Sequence, residues 1–385
     1  MNVLIIRNAE ASTNANIRRV VSALLSAGHK PIILSRARIC QEDEPVYMKK
    51  DILIDGVRVD NFELQLKGKT EKGLKNITTV YTYIKTVTRW MMENIDSFDA
   101  IHAFDLDSGL AAHKLAGKKY FIYHIADFYA DSRAKIPKVL KDMIKKMEFD
   151  LIKNADHTII CTDERRKQIE GSKPKKLSVV YNSPSIDKEI REKLNENINK
   201  KPSEMKKLKL SYIGMLSKRR FIDTALEVIS EFDDVELTLA GSGDLVDMSK
   251  EYADKYKNIH YLGQIPYEKT FDIYKDCNLM FAIYNPNINN HKYSAANKIY
   301  EAMLLKKPIV VAKNTSMDEI VDKHDIGFSI DYSKESFRDL IEKLRNNLNI
   351  LDEKSDNMEA VYDDYSWEKM KERLVNIYAE LGDEN

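Results

Sequence analysis

Short apolar runs of strand length, each followed by a stretch with helical periodicity, recur through most of this chain. That rhythm limits the fold more than any other feature. Val3-Leu4-Ile5-Ile6 leads through a polar loop over 7–14 into a helix predicted over 15–27, closed by Gly28. Pro31-Ile32-Ile33-Leu34 follows. Strand, helix and strand with a short return form a βαβ unit, right-handed by default. Continuous apolar runs are what a parallel sheet buries on both faces. Further strands are predicted over 99–103, 119–125, 157–161 and 177–181. The rhythm breaks at 185–207, a polar Lys/Asn/Glu-rich stretch with Pro202. It restarts at Leu208, with strands over 210–213, 235–240, 259–262, 279–284, 309–312 and 327–330. The expected fold class is therefore α/β, with two Rossmann-like βαβ domains facing across a cleft. The boundaries are 1–187, a linker over 188–207, a second domain over 208–365, and a last helix over 366–385 that returns to the first domain.

A length of 385 residues leaves room for two cores of ordinary size. Net charge is zero, so bulk electrostatics give no case for nucleic acid, and any basic binding surface must be local. Cys40, Cys161 and Cys277 lie far apart without CxxC, and the histidines show neither HxxxH nor HExxH. Reduced thiols, no metal and a cytoplasmic setting are expected. The chain opens directly on a strand, and no apolar run approaches the roughly 20 residues that span a bilayer, so no signal peptide or spanning helix is expected. The loop after the first strand carries Asn8, Ser12, Thr13 and Asn14 but no glycine. It lacks the dinucleotide fingerprint, which sets NAD and FAD aside.

Several polar residues fall where α/β sheets bind ligands, just outside the carboxyl ends of strands. His102, Asp105, His124 and Asp127 do so in the first half, each with an alternative reading as a satisfied structural group. In the second half, Gly214 closes a strand, and Lys218, Arg219 and Arg220 precede a helix predicted over 222–232. Aimed inward they would clamp a phosphate; otherwise they are solvated. Gly241 and Gly263 end the next two strands.

The stretch Asn297-Lys298-Ile299-Tyr300-Glu301-Ala302-Met303 reads as a helix with Ser294 as its cap and Pro308 as its stop. Ile299, Ala302 and Met303 share the packing side, while Ser294, Asn297, Lys298 and Glu301 share another. A helix start suits phosphate and a carboxylate two turns in suits hydroxyls. The stretch could hold a sugar nucleotide, or be a surface helix with one solvated glutamate.

Smaller elements complete the reading. Residues 51–62 alternate about Asp55-Gly56, a hairpin signal at a sheet edge. Leu74, Ile77, Tyr81, Ile84, Val87, Met91 and Ile95 mark one long amphipathic helix, and Ser108 is the expected cap of a helix to Leu115. The helix over 136–151, within the lysine-rich segment 133–153, has two readings. It either faces the core with a solvated basic face or lies on an anionic membrane.

Taken in order, the pieces DAIHAFDLDSGLAA, HIADFYAD, EFDLIKNADHTIICTDERRKQI, VVYNS, SYIGML, LTLAGSGD, IHYLGQIP and SAANKIYEAMLLKKPIVVA resemble the retaining GT-B glycosyltransferases of family four, glycosyl transferases group 1. The likeness spans essentially the whole chain and is closest to members that build surface polysaccharides on lipid carriers. It implies a hexosyl- or N-acetylhexosaminyl-transferase that uses a nucleoside diphosphate sugar, UDP-linked, without a metal or other cofactor. The acceptor would be a saccharide or lipid-linked saccharide, at the inner face of the membrane. Glu301 would hold the ribose, and Arg220 the diphosphate with Lys218 or Arg219 helping. Gly214, Gly241 and Gly263 would line the nucleotide pocket, and the backbone at Ser294, Ala295, Ala296 and Asn297 would meet the phosphates. His124, Asp127 and Arg220 would be the catalytic residues, with His124 or Asp127 near the transferred sugar and Asn14, His102 and Asp105 on the acceptor side. The chain departs from the family at Tyr293, where the first carboxylate of the E-x7-E motif belongs, with Asn297 and Lys298 as its substitutes. Lys306 stands where the family has glycine. An epimerase of the same architecture and an inactive partner subunit are the rival readings.

Overall fold

In both sheets the central strands are parallel and follow one doubly wound order. The computed structural model describes residues 1–385 except 41, 43, 69–76, 133–135, 187–200, 294–295 and 383–385. The chain divides into two units, Met1–Tyr181 with Glu368–Asn385, and Asn182–Trp367.

The first unit carries β1 (Asn2–Ile6), β2 (Lys30–Arg36), β3 (Val46–Lys49), β4 (Ile52–Ile54), β5 (Val57–Gln65), β6 (Ala100–Phe104), β7 (Tyr120–Ile125), β8 (His157–Ile160) and β9 (Leu177–Val179). Their order is β3-β5-β2-β1-β6-β7-β8-β9, with β4 on β5. β1 pairs in parallel with β2 and with β6, in register Ile5 to Ile33 and Ile5 to His102. β3 and β4 run antiparallel to β5. Asp55 and Gly56 both take left-handed φ, 50° and 76°, as a tight hairpin needs. The helix Ala15–Ser26 starts where Asn14 accepts from the backbone N–H of Asn16 and Ile17.

The second unit carries β10 (Leu208–Met215), β11 (Val235–Ser242), β12 (Ile259–Tyr261), β13 (Leu279–Ala282), β14 (Ile309–Ala312) and β15 (Gly327–Ile330). Their order is β12-β11-β10-β13-β14-β15. Leu210, Tyr212, Leu237, Leu239 and Phe281 pack with Leu226, Phe337 and Ile341 from the flanking helices. The strand order reverses between β10 and β13 here, and between β1 and β6 in the first unit. Such switch points open a crevice at the carboxyl ends.

Some element ends differ from the sequence reading. The helix Asn297–Leu305 has Ala296 at its N-cap with no side-chain cap, and Ser294 and Ala295 lie outside the described residues. Lys306 ends that helix in the left-handed conformation, φ 52°. Ser108 caps nothing: the helix Asp105–Ala112 begins directly after β6 and buries Ser108, whose hydroxyl lies 3.1 Å from that of Tyr83. The long amphipathic helix is described over Ile77–Glu93, its expected start at Leu74 lying outside the described residues. The lysine-rich helix runs Lys138–Asn154. The division between units falls after Tyr181, ahead of the expected 187. The Tyr181 N–H points to Met370 Sδ in the first unit, while Ser183 donates to the Tyr365 carbonyl in the second.

Candidate functional site

A cavity of about 420 Å³ opens at the switch point of the second unit. Ile213 and Gly214 of β10, Gly241 and Ser242 of β11, Gln264, Ile265, Tyr267 and Thr270 after β12, and Asn297, Lys298 and Glu301 line it. The backbone makes this space. Gly241 has φ 133°, and a Cβ there would stand 1.8 Å from the Gly214 carbonyl oxygen. No other residue fits. A Cβ on Gly214 would come 3.0 Å from Lys298 Nζ, which itself lies 4.6 Å from the Tyr212 ring centre.

Helical spacing sets Asn297, Lys298 and Glu301 on the cavity side, while Ile299, Ala302 and Met303 are buried. Glu301 is only 5% exposed, yet it lines the cavity and accepts from the Tyr267 hydroxyl at 3.1 Å. A carboxylate held this way offers a directed acceptor to ligand hydroxyls. Gly263 is not among the lining residues; its carbonyl accepts from the Gly241 N–H at 2.8 Å. Ala296 is buried behind the helix start.

The three cations separate. Lys218 and Arg219 are exposed, whereas Arg220 is half-buried with its guanidinium carbon 3.4 Å from the Tyr284 ring centre. Arg220 Nη1 is buried and has no hydrogen-bond partner among the described residues. A buried guanidinium N–H without an acceptor is a site for an anion. The next residue, Phe221, is held at φ 66°, an uncommon conformation for a bulky side chain and one that tends to mark functional sites. None of the three cations lines the 420 Å³ cavity.

The strand ends of the first unit hold a polar network. Asp105, at φ 62°, accepts through Oδ1 from the backbone N–H of Ala126 and Asp127, at 3.0 and 2.9 Å. Arg7 pairs with Asp105 at 3.5 Å, donates to Asn14 Oδ1 at 3.2 Å and stacks on Phe104. Burial pushes the Asp105 carboxyl up to about 6 against the pull of Arg7. Asn14 therefore serves two partners, Arg7 and its own helix. His124 and His102 are buried 3.0 Å apart, Nδ1 to Nε2, and Asp127 is exposed. The structure thus gathers Asn14, His102, Asp105, His124 and Asp127 at one sheet end. Arg7, Gln264, Ile265, Tyr267 and Tyr284 escaped the sequence reading. Tyr267 carries a signal that could have found it, since it opens a helix directly after Pro266 beyond a strand end.

This geometry can now be set beside known proteins. Residues 194–360 match the family Glycosyl transferases group 1. Over 203 residues the chain is 25% identical to an uncharacterized 41.2 kDa protein in the cps region of Klebsiella pneumoniae. That match covers 50% of this chain, and the chain spans about half the length of the relative, 54%. Among solved structures it is similar to sucrose-phosphate synthase from Thermosynechococcus elongatus, with a TM-score of 0.74 at 15% identity and full cover of both chains. It is also similar to Anabaena HepE in complex with UDP and glucose, with a TM-score of 0.68 at 13% identity over 99% of this chain and 100% of that one. The Escherichia coli trehalose-6-phosphate protein bound with UDP-2-fluoro glucose gives 0.69 at 10% identity over 98% of each chain. The fold is GT-B, two Rossmann-like α/β units.

Proposed function

We propose that the chain is a retaining glycosyltransferase of the family-four type. It moves a hexosyl or N-acetylhexosaminyl group from a UDP-linked donor to a hydroxyl of a saccharide or lipid-linked saccharide, in surface polysaccharide synthesis. The observation that carries this is Glu301, a nearly buried carboxylate that opens on the switch-point cavity of the second unit. It is suited to the two ribose hydroxyls, with the glycines of β10 and β11 clearing room for the nucleotide. The family match over 194–360, the ligands named for HepE and the Escherichia coli protein, and the cps-region relative support the reading. Charge developing on the leaving diphosphate is met by Arg220, Lys298 and the N-terminal amides of the helix Asn297–Leu305, an electrostatic form of catalysis. The acceptor hydroxyl attacks on the face the diphosphate leaves, and the diphosphate takes the proton. Charge neutralisation by these groups needs no metal. The strand-end network of the first unit, around Asp105 and His124, receives the saccharide.

Thermal unfolding with a panel of nucleotides and nucleotide sugars tests the donor. At about 100 times the dissociation constant a ligand stabilises by roughly 2.7 kcal/mol, a shift of a few degrees. A shift with UDP and one UDP-sugar is expected. A shift with another nucleotide changes the donor, and none at all overturns the reading.

The lysine-rich helix Lys138–Asn154 suits an anionic membrane surface. Val139 is 83% exposed and Met143 is exposed beside Lys138, Lys145 and Lys146, while Leu140, Ile144 and Met147 line an apolar pocket of about 320 Å³. Among the described residues no helix is long and apolar enough to cross a membrane. Flotation with anionic vesicles at low salt is expected to carry the protein up; failure to float sinks the membrane part alone.

A further inference from the structure

Three rings form a buried chain in the first unit. The Tyr378 hydroxyl, from the last helix Trp367–Gly382, lies 2.6 Å from His102 Nδ1. His102 Nε2 lies 3.0 Å from His124 Nδ1. Tyr378 is 1% exposed, and its hydroxyl has no other hydrogen-bond partner among the described residues. His29 lies against the same ring but keeps its Nδ1 on the Met1 amino group. Buried hydroxyl hydrogens find acceptors in native interiors. The Tyr378 hydroxyl therefore donates to His102 Nδ1. A neutral imidazole carries one N–H, so that of His102 is on Nε2 and donates to His124 Nδ1. The N–H of His124 is then on its own Nε2, which has no hydrogen-bond partner among the described residues. Burial keeps both rings neutral, holding His102 down to about 3 and His124 well below the usual imidazole range.

We infer that Tyr378 and His102 are positioning residues that fix His124 as an N–H donor at the strand ends, so that His124 holds a saccharide oxygen and does not take a proton from it. Tyr378, far along the chain, thereby sets the chemistry of a residue it does not touch. The inference rests on the reading that these strand ends receive the saccharide.

Long-range proton–nitrogen correlation on the histidine-labelled full chain, without substrate at neutral pH, reads the tautomers directly. Both His102 and His124 are expected to carry their proton on Nε2. A proton on Nδ1 of either ring overturns the inference. Tyr378→Phe removes the one donor to His102 Nδ1 among the described residues, and both rings are expected to show mixed tautomers; an unchanged pattern in that variant also overturns it. His124→Gln keeps an N–H donor and removes the base. Saccharide transfer is expected to survive within about tenfold, with the loss mainly in KM. A fall of a thousandfold or more in kcat, the range lost with a general base, counts against the inference. The tautomers are read without turnover. A protein that shows them but binds no nucleotide sugar would refute the transferase reading and leave the ring chain standing.

Discussion

Near the carboxyl end of β10 the chain places glycine, whereas directly after β6 it places an aspartate in the left-handed conformation. The two strands stand at equivalent switch points. In the second unit Gly214 and Gly241 strip side chains away, so a ligand can approach the backbone, and one carboxylate and one lysine set its polarity. In the first unit Arg7, Asp105, His102 and His124 fill the same position with mutually paired side chains. The strand order supplies an address in both units, and the residues at that address decide between recognition by backbone and recognition by a held side-chain network. The first suits a constant partner such as a ribose diphosphate. The second suits a saccharide read by its hydroxyls.

The largest expected effect lies on the glycine side. Gly241→Ala forces a Cβ onto the Gly214 carbonyl at a φ few side chains adopt, and should cost on the order of 4 kcal/mol by urea unfolding, with loss of the nucleotide-induced shift. An unchanged midpoint would mean that the open backbone is not what builds this cavity.

The next concerns a buried carboxyl in the first unit. Glu148 is fully buried, accepts from the N–H of Tyr129 and Ala130, and has its carboxyl pushed up to about 8 by burial. The unfolded chain ionises near 4.5 while the folded chain stays protonated. The unfolded state therefore releases protons first, and this residue lowers stability as pH rises from about 4.5 to about 8. Glu148→Gln, neutral throughout, gives up one of the two backbone acceptors, so it should start below the parent at pH 4 and gain on it by on the order of 4 kcal/mol between pH 4 and pH 8. Parallel stability curves would show that the buried charge is not penalised.

Glu301→Ala should weaken nucleotide binding by roughly 10- to 100-fold in calorimetry, the worth of hydrogen bonds to a charged group. Asp105→Asn, at the matching place in the first unit, should leave that affinity unchanged; an equal loss would erase the contrast between the units. The smallest change is Lys306→Gly. The left-handed lysine is strained, and its contact with the largely exposed Glu359 is worth little. Net of glycine's entropy, a gain of about 0.5–1 kcal/mol is expected in thermal unfolding.

Much of this was readable in the residues. Apolar runs four residues long marked the parallel strands because nothing else buries both faces so briefly, and Asp55-Gly56 marked its hairpin because few pairs accept two left-handed positions. Helical spacing set Glu301 apart from the packing side of Ile299, Ala302 and Met303, but left open whether it met a cavity or solvent. Serine misled at one place. Ser108 has the chemistry of a cap, but the chain turns into helix directly at Asp105, and tertiary packing against Tyr83 overrides the local preference. Lys218 and Arg219 looked equivalent to Arg220, and only the ring of Tyr284, brought in from another strand end, separates them. Tyr378 had no signal in the sequence, since a hydroxyl's partner 276 residues away leaves no mark on local pattern.

The helix Trp367–Gly382 has one further consequence, in the order of synthesis. As the chain leaves the ribosome, residues 182–367 have all emerged before the first sheet receives the helix that supplies Met370 and Tyr378 to it. Chains released after Trp367 should therefore hold a finished second unit beside an incomplete first one. A chaperone or protease that samples unfinished surfaces would meet this protein at its beginning and not at its end.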